Sequence, residues 1–267
     1  MSDVVVLCYH AVCEDWGAEL AVTPRRFEEQ LRTLVARGYR GATFTEAATA
    51  PPHSKTIAVT FDDGMRSVLD RARPVLADLG LPATVFVPTD FVGAAEPMRW
   101  RGIERWLDSP HRDELVPLTW AELVRLRDGG WEIGSHTRTH ARLIHVGDEA
   151  LVAELTESRA RLEAELGEPC RSVAYPFGEV DARIVDAARA AGYEAACALS
   201  TNVEVASPLA WPRIGIWRSD GPISFRIKVS RSVRSLQGSR TFALLDRRRR
   251  TLKRILRPKR VAQEWRS

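Results

Sequence analysis

The chain holds little of several things, and each shortage narrows the field. It has four cysteines, Cys8, Cys13, Cys170 and Cys197, and no two of them share Cys-x-x-Cys spacing. They read as reduced thiols, some of them in a core, rather than as a disulfide framework or a zinc knuckle. No apolar run is long enough to cross a bilayer. The opening, Met1-Ser2-Asp3-Val4-Val5-Val6-Leu7, lacks a basic n-region, a long apolar stretch and a small-residue cleavage site. It reads as a first β-strand, and the expectation is a cytoplasmic protein, free or peripheral at the inner membrane face through its tail. A strong charge bias is also missing, with 39 Lys and Arg against 35 Asp and Glu, a formal net charge of +4. The basic excess is concentrated between Arg247 and Arg260. Nucleic acid is therefore not an expected partner of the chain as a whole.

What is present is an ordinary globular composition, 45% hydrophobic and 28% charged over 267 residues. That suits one large α/β domain and is short for two. Short β-rich runs at Val4 to Tyr9, around Thr43, and at Lys55 to Phe61, Ala83 to Val87, Trp131 to Gly134, Ser172 to Tyr175 and Glu194 to Ala198 read as strands. Helical patterns alternate with them. One starts at the Thr23-Pro24 cap, carries Phe27, Leu31, Leu34 and Val35 on one face, and stops near Gly38. Others span about Arg66 to Leu79, Thr119 to Arg127, Asp148 to Leu166 and Asp181 to Ala191. Strands alternating with helices predict parallel βαβ units, closed or distorted into a barrel at least as readily as laid out as an open sheet. The irregular stretch from Thr89 to Pro117 carries two Trp and reads as a loop over the active face or a plain surface insertion.

Three segments follow strands, at the end where parallel α/β folds build their sites. The first is Thr60-Phe61-Asp62-Asp63-Gly64. Adjacent carboxylates at a strand end point in different directions, so one can hold a metal while the other faces a reacting water. A turn with a helix cap would look the same. The second is Ser135-His136-Thr137-Arg138-Thr139-His140, whose two imidazoles, four apart, can converge on one ion. The third is Ala174-Tyr175-Pro176-Phe177-Gly178-Glu179, a stiff turn that can aim a backbone N–H at an oxyanion or simply connect strand to helix.

Taken together and in this order, these segments resemble the polysaccharide deacetylase family, the NodB-homology or carbohydrate esterase family 4 domain. The resemblance runs from about Val4 to about Arg231. Leu7-Cys8-Tyr9-His10 is similar to the start of the branch that includes poly-N-acetylglucosamine deacetylases. The resemblance implies a distorted (β/α) barrel of about seven parallel strands and a divalent metal, usually zinc, on Asp63, His136 and His140. It implies Asp62 as general base and the backbone N–H of Phe177 as an oxyanion donor. The expected activity is removal of an N-acetyl group from an amino sugar in an oligosaccharide, a glycan or a lipid-linked glycan.

The pattern also departs from the family's. Where many members carry an Arg that orients the base, this chain has Ala174, and Arg213 is the candidate replacement. No His follows His145, so the late His that supplies a general acid is missing, and His10 is the candidate in its place. Tyr175, Pro176, Trp211 and Trp217 are candidate substrate contacts, or else core and rim packing. The domain reading is a catalytic unit over 1–233 and a basic tail over 234–267. That tail combines Leu244, Leu252, Ile255 and Leu256 with Arg and Lys, as an amphipathic helix on an anionic membrane would. Two other functions fit the motifs. One is a same-fold C–N hydrolase on a non-acetyl substrate, such as a formylated lipid-linked amino sugar. The other is a catalytically silent carbohydrate-binding domain.

Overall fold

The computed structural model describes residues 3–201, 203 and 206–237. Its centre is a ring of parallel strands: β1 (Asp3–Tyr9), β5 (Lys55–Phe61), β6 (Ala83–Val87), β7 (Glu132–Ser135), β8 (Ser172–Ala174), β9 (Ala195–Leu199) and β10 (Trp211–Gly215). The ring closes because β1 pairs on one side with β5 and on the other with β10, at Leu7↔Ile214 and Cys8↔Gly215. The two-residue strand β4 (Arg40–Gly41) lies on the early half of the β5 edge, and β6 takes the later half. That shared edge is one source of the barrel's distortion. Two more short strands, β2 (Ala11–Val12) and β3 (Ala21–Val22), pair beside it. The expected seven-stranded (β/α) barrel is the observed architecture.

Side-chain alternation divides each strand between two cores. Outward residues such as Leu7, Ile57, Val59, Val85 and Val173 pack under the helices. Inward residues Val6, Ala58, Phe86, Ala174 and Cys197 fill the ring, joined by Phe44, Ala47 and Ala48 of α2 (Phe44–Thr49). The interior is thus a packed plug below the site rather than a channel. At its base the Glu132 carboxylate accepts hydrogen bonds from the Thr45 N–H, at 2.9 Å, and from the hydroxyls of Thr45, Thr84 and Ser172. This fixes α2 under the ring.

The Thr23 cap behaves as its sequence predicts. Its hydroxyl accepts from the Arg26 N–H, and α1 (Pro24–Val35) buries Phe27, Leu31 and Leu34. Helices α4 (Trp120–Asp128), α5 (Asp148–Leu166) and α6 (Ala182–Ala190) follow the remaining patterns, with Thr119 and Asp181 capping α4 and α6. Two local readings need correction. The strand expected around Thr43 lies slightly earlier, as β4 at Arg40–Gly41, and Thr43 itself precedes α2, its N–H donating to Glu46 at 2.8 Å in a capping box. The helix expected from Arg66 is broken into a π-helical stretch at Val68–Ala72 and α3 (Arg73–Asp78). Pro74 has no N–H to offer Asp70, and its ring crowds that carbonyl, so the turn before it widens.

The described residues end in α7 (Pro222–Lys228) and α8 (Arg231–Gln237). α8 runs across the division expected at 234, and Arg234 donates back to the Val4 carbonyl at 2.8 Å. The amphipathic pattern read in the tail lies beyond the described residues. Among the described residues no helix is long and apolar enough to cross a membrane.

Candidate active site and metal centre

The C-terminal ends of the ring strands carry the chemistry. β5 delivers Asp62 and Asp63, the loop after β7 delivers His136 and His140, and β10 sends Arg213 in from the opposite side. The backbone here is unusual. Asp63, Thr137, His140 and Phe177 have φ of 71°, 65°, 61° and 60°, in the left-handed region that L-residues avoid. Thr137 is β-branched, which makes its conformation costlier still. Strain gathered at one place is held by its surroundings and marks a constrained site. Gly64, at φ +67°, completes the turn, because a Cβ there would lie 2.6 Å from Val87 Cγ1.

Asp63, His136 and His140 are all buried. Asp63 Oδ1 lies 3.5 Å from His136 Nε2 and 3.3 Å from His140 Nε2. Among the described residues it has no hydrogen-bond partner, although it is buried. Donors about 2.0–2.1 Å from a shared zinc at tetrahedral angles would stand roughly 3.3–3.4 Å apart. The three donors therefore fit a divalent ion by spacing, by chemistry and by the orphaned oxygen. Charge agrees at Asp63 and His140. Burial alone would raise the Asp63 pKa, but the two imidazoles hold it far below the usual carboxylate range. Burial lowers the His140 pKa, which favours the neutral, ligating ring. The His136 Nδ1 sits 2.8 Å from the Ala174 carbonyl, which leaves Nε2 for the centre.

Asp62 points elsewhere. Arg213 grips both its oxygens, Nη1 to Oδ1 at 2.6 Å and Nη2 to Oδ2 at 2.7 Å, and also donates to Thr60 Oγ1 at 3.0 Å. Burial opposes the carboxylate's charge, but Arg213 and His136 outweigh it and lower the Asp62 pKa to about 2. Asp62 is thus a buried anion that remains charged. Cys8 Sγ donates to its Oδ2 at 3.4 Å. Burial pushes that thiol well above its ordinary pKa, so it stays protonated. Sequence reading had placed Cys8 only among core thiols, and its one clue was the alternation that puts it on the His10 face of the strand.

His10 has a ring nitrogen within 4.8 Å of the acceptor atoms of Cys8 and Asp62, and its ring stacks on Trp217 with centroids 5.6 Å apart. Phe177 lies edge-on to His140 at 4.9 Å, with the Arg142 guanidinium over its ring at 4.6 Å. Three expected substrate contacts do not reach the centre through their side chains. Tyr175 is fully buried, with its hydroxyl donating to the Leu209 carbonyl, and Pro176 is buried beside it. Trp211 precedes Arg213 by two residues and packs against the interior plug, one layer below the site. An aromatic beside a strand end gives the same pattern whether it points in or out, so the sequence could not separate these cases. The residue it missed is Trp100, whose ring lies 4.0 Å from that of His140 at 22°.

A closed parallel barrel with a carboxylate and two imidazoles at its mouth, beside a second carboxylate held ionised, defines a class of hydrolase scaffold. The sequence profile of the polysaccharide deacetylase family matches residues 49–196, and the chain belongs to that family. The match takes in Asp62, Asp63, His136, His140 and Phe177, begins after His10 and ends before Arg213. YxkH of Bacillus subtilis, whose name assigns it provisionally to the polysaccharide deacetylases, is 25% identical over 194 residues, 71% of this chain and 62% of its own. The poly-beta-1,6-N-acetyl-D-glucosamine N-deacetylase of Staphylococcus aureus is 22% identical over 170 residues, 59% of this chain and 54% of its own. The chain thus spans between half and two thirds of these curated relatives. The crystal structure of a polysaccharide deacetylase from Bacillus cereus superposes with a TM-score of 0.69 at 28% identity, covering 85% of this chain and 69% of that one.

Proposed function

We propose that this chain is a metal-dependent N-deacetylase that hydrolyses the acetamide of an amino sugar in a glycan or glycoconjugate. The observation that carries the reading is the pairing of two unlike carboxylates. Asp63 faces two imidazoles at metal-ligand spacing, and its neighbour Asp62, with Oδ2 3.9 Å from His136 Nε2, is locked by Arg213.

Asp63, His136 and His140 would hold the ion, zinc being the best match to this donor set. When bound, it supplies Lewis acidity to the water and to the amide carbonyl. The protein's own groups do the rest. Asp62 takes the proton of the attacking water, with Arg213 fixing its orientation and its charge. Phe177, in its left-handed turn beside His140, offers a backbone N–H to the developing oxyanion. His10, close to Asp62 and steadied by Trp217, is the group positioned to protonate the leaving amine. The C–N bond breaks, the acyl carbon keeps the water oxygen, and acetate and the free amino sugar leave. Trp217, at the mouth, can pack against a pyranose ring. The name of the Staphylococcus aureus relative supports N-acetylglucosamine units as the first substrates to try.

The test is acetate release from N-acetylglucosamine oligomers by chelator-stripped protein, with zinc, cobalt or no metal restored, beside Asp63→Ala and Asp62→Asn. The expected result is activity that returns with metal, is lost in Asp63→Ala together with the ion, and is lost in Asp62→Asn with the ion still bound. Stoichiometric metal binding without acetate from any oligomer would redirect the search to formylated or lipid-linked amino sugars. Failure to bind metal would remove the proposal.

A further inference from the structure

The two imidazoles of the candidate centre are held in different ways. His136 has its Nδ1 on the Ala174 carbonyl at 2.8 Å. His140 has no such support: its Nδ1 is buried and, among the described residues, without a hydrogen-bond partner. A metal-ligating imidazole ordinarily fixes its ring plane through that second nitrogen. Around His140 the constraint is aromatic. Trp100 lies stacked on its ring at 4.0 Å and 22°, with Phe177 edge-on at 4.9 Å and His136 edge-on at 4.8 Å. His140 is also at φ 61°, in the left-handed region that L-residues avoid.

Trp100 is itself held in place. It comes from the long segment between β6 and α4, and Phe91 of the same segment packs edge-on against it at 5.5 Å. The start of that segment is bonded to the histidine loop. The Thr89 N–H donates to the Thr137 carbonyl at 3.1 Å, and the Asp90 N–H donates to the Arg138 carbonyl at 3.0 Å. Farther on, Met98, Ile103 and Leu115 are buried in a cluster with Trp16 and Met65. The segment is therefore a built wall of the site and carries one ring to one ligand.

We infer that Trp100 is a positioning residue for His140, orienting that imidazole by stacking as the Ala174 carbonyl orients His136. This rests on the proposed metal role of His140. The indole fixes the ring plane so that Nε2 faces Asp63, and metal affinity then depends on a segment that contributes no ligand of its own.

The test measures metal binding rather than turnover. Chelator-stripped wild type, Trp100→Phe, Trp100→Leu and His140→Ala are titrated with Zn²⁺ against a chromophoric chelator, and the melting temperature of each metal-free protein is recorded alongside. Phe can still stack, whereas Leu fills space without a ring face. The expected result is a modest weakening in Trp100→Phe and a loss of roughly 10–100-fold in Trp100→Leu, the range that follows loss of an outer partner. A packing role alone would not separate Phe from Leu at equal melting temperature. Equal affinities in Trp100→Leu and wild type, or equal losses in Phe and Leu, would overturn the inference. Wild type that binds no zinc would instead overturn the metal reading of the site.

Discussion

Arg213 holds both oxygens of Asp62, at 2.6 and 2.7 Å, across 151 positions of sequence. Both side chains are buried, so neither charge is solvated by bulk water. Removing one partner leaves the other uncompensated, which in buried pairs costs about 3–5 kcal/mol. Arg213→Met should therefore melt well below wild type, and its pH response should change sign. In wild type the lowered Asp62 pKa contributes stability above the unfolded value of 3.8, lost as pH falls through about 2. In the variant, burial raises the Asp62 pKa, and stability should fall as pH rises past the ordinary carboxylate range. Thermal melts of the metal-free proteins between pH 2 and pH 8 would read this. A variant whose stability still climbs with pH would contradict it.

His10 should matter according to the leaving group. Expelling an amine requires a proton, whereas a phenolate leaves without one. His10→Asn should lower turnover of the acetamide substrate by roughly 10²–10⁴-fold, the usual worth of a positioned acid, while sparing an activated aryl acetate. Parallel assays on the two substrates decide it, since equal losses on both would make His10 structural.

Glu132 should be important for stability and not for the metal. Its carboxylate collects three hydroxyls and the Thr45 N–H at the base of the barrel. Glu132→Ala strands those donors, and each buried donor left unmade costs about 1–3 kcal/mol. Chemical denaturation should show a loss of that order or greater, and zinc affinity of the folded protein should be unchanged.

The basic run from Arg247 to Arg260 should bind anionic vesicles. Truncation before Arg247 should abolish sedimentation with phosphatidylserine-containing liposomes and leave oligomer turnover intact. Added salt should release the full chain. Equal binding by the truncated and full chains would remove the tail's assignment.

Contiguous signals were legible and dispersed ones were not. Lys55–Phe61, ending on Asp62-Asp63-Gly64, is readable because strand, carboxylates and turn follow one another. α5 is readable because a helix of 19 residues outlasts local ambiguity. The six-residue α2 is too short to display a period, so only the strand before it, β4, was read there. The π-helical stretch before Pro74 depends on where a displaced carbonyl goes, which spacing does not reveal. Trp100 and Trp106 lie in the same irregular segment, yet Trp100 stacks on His140 while Trp106 packs edge-on against Trp16, 5.7 Å away. Only the path of the segment distinguishes them. Cys8 was visible, but its bond to Asp62 depends on two strands being neighbours.

The closure of the ring by its last strand has a consequence in time. A chain emerging N-terminus first can assemble Asp62, Asp63, His136, His140 and Phe177 once β8 has followed β7. The Asp62 charge still lacks its counterion until Arg213 arrives on β10, which docks between β9 and β1. The strand that seals the barrel is also the strand that brings Asp62 its counterion. A half-made copy can therefore present the proposed ligands while the carboxylate beside them still lacks its partner.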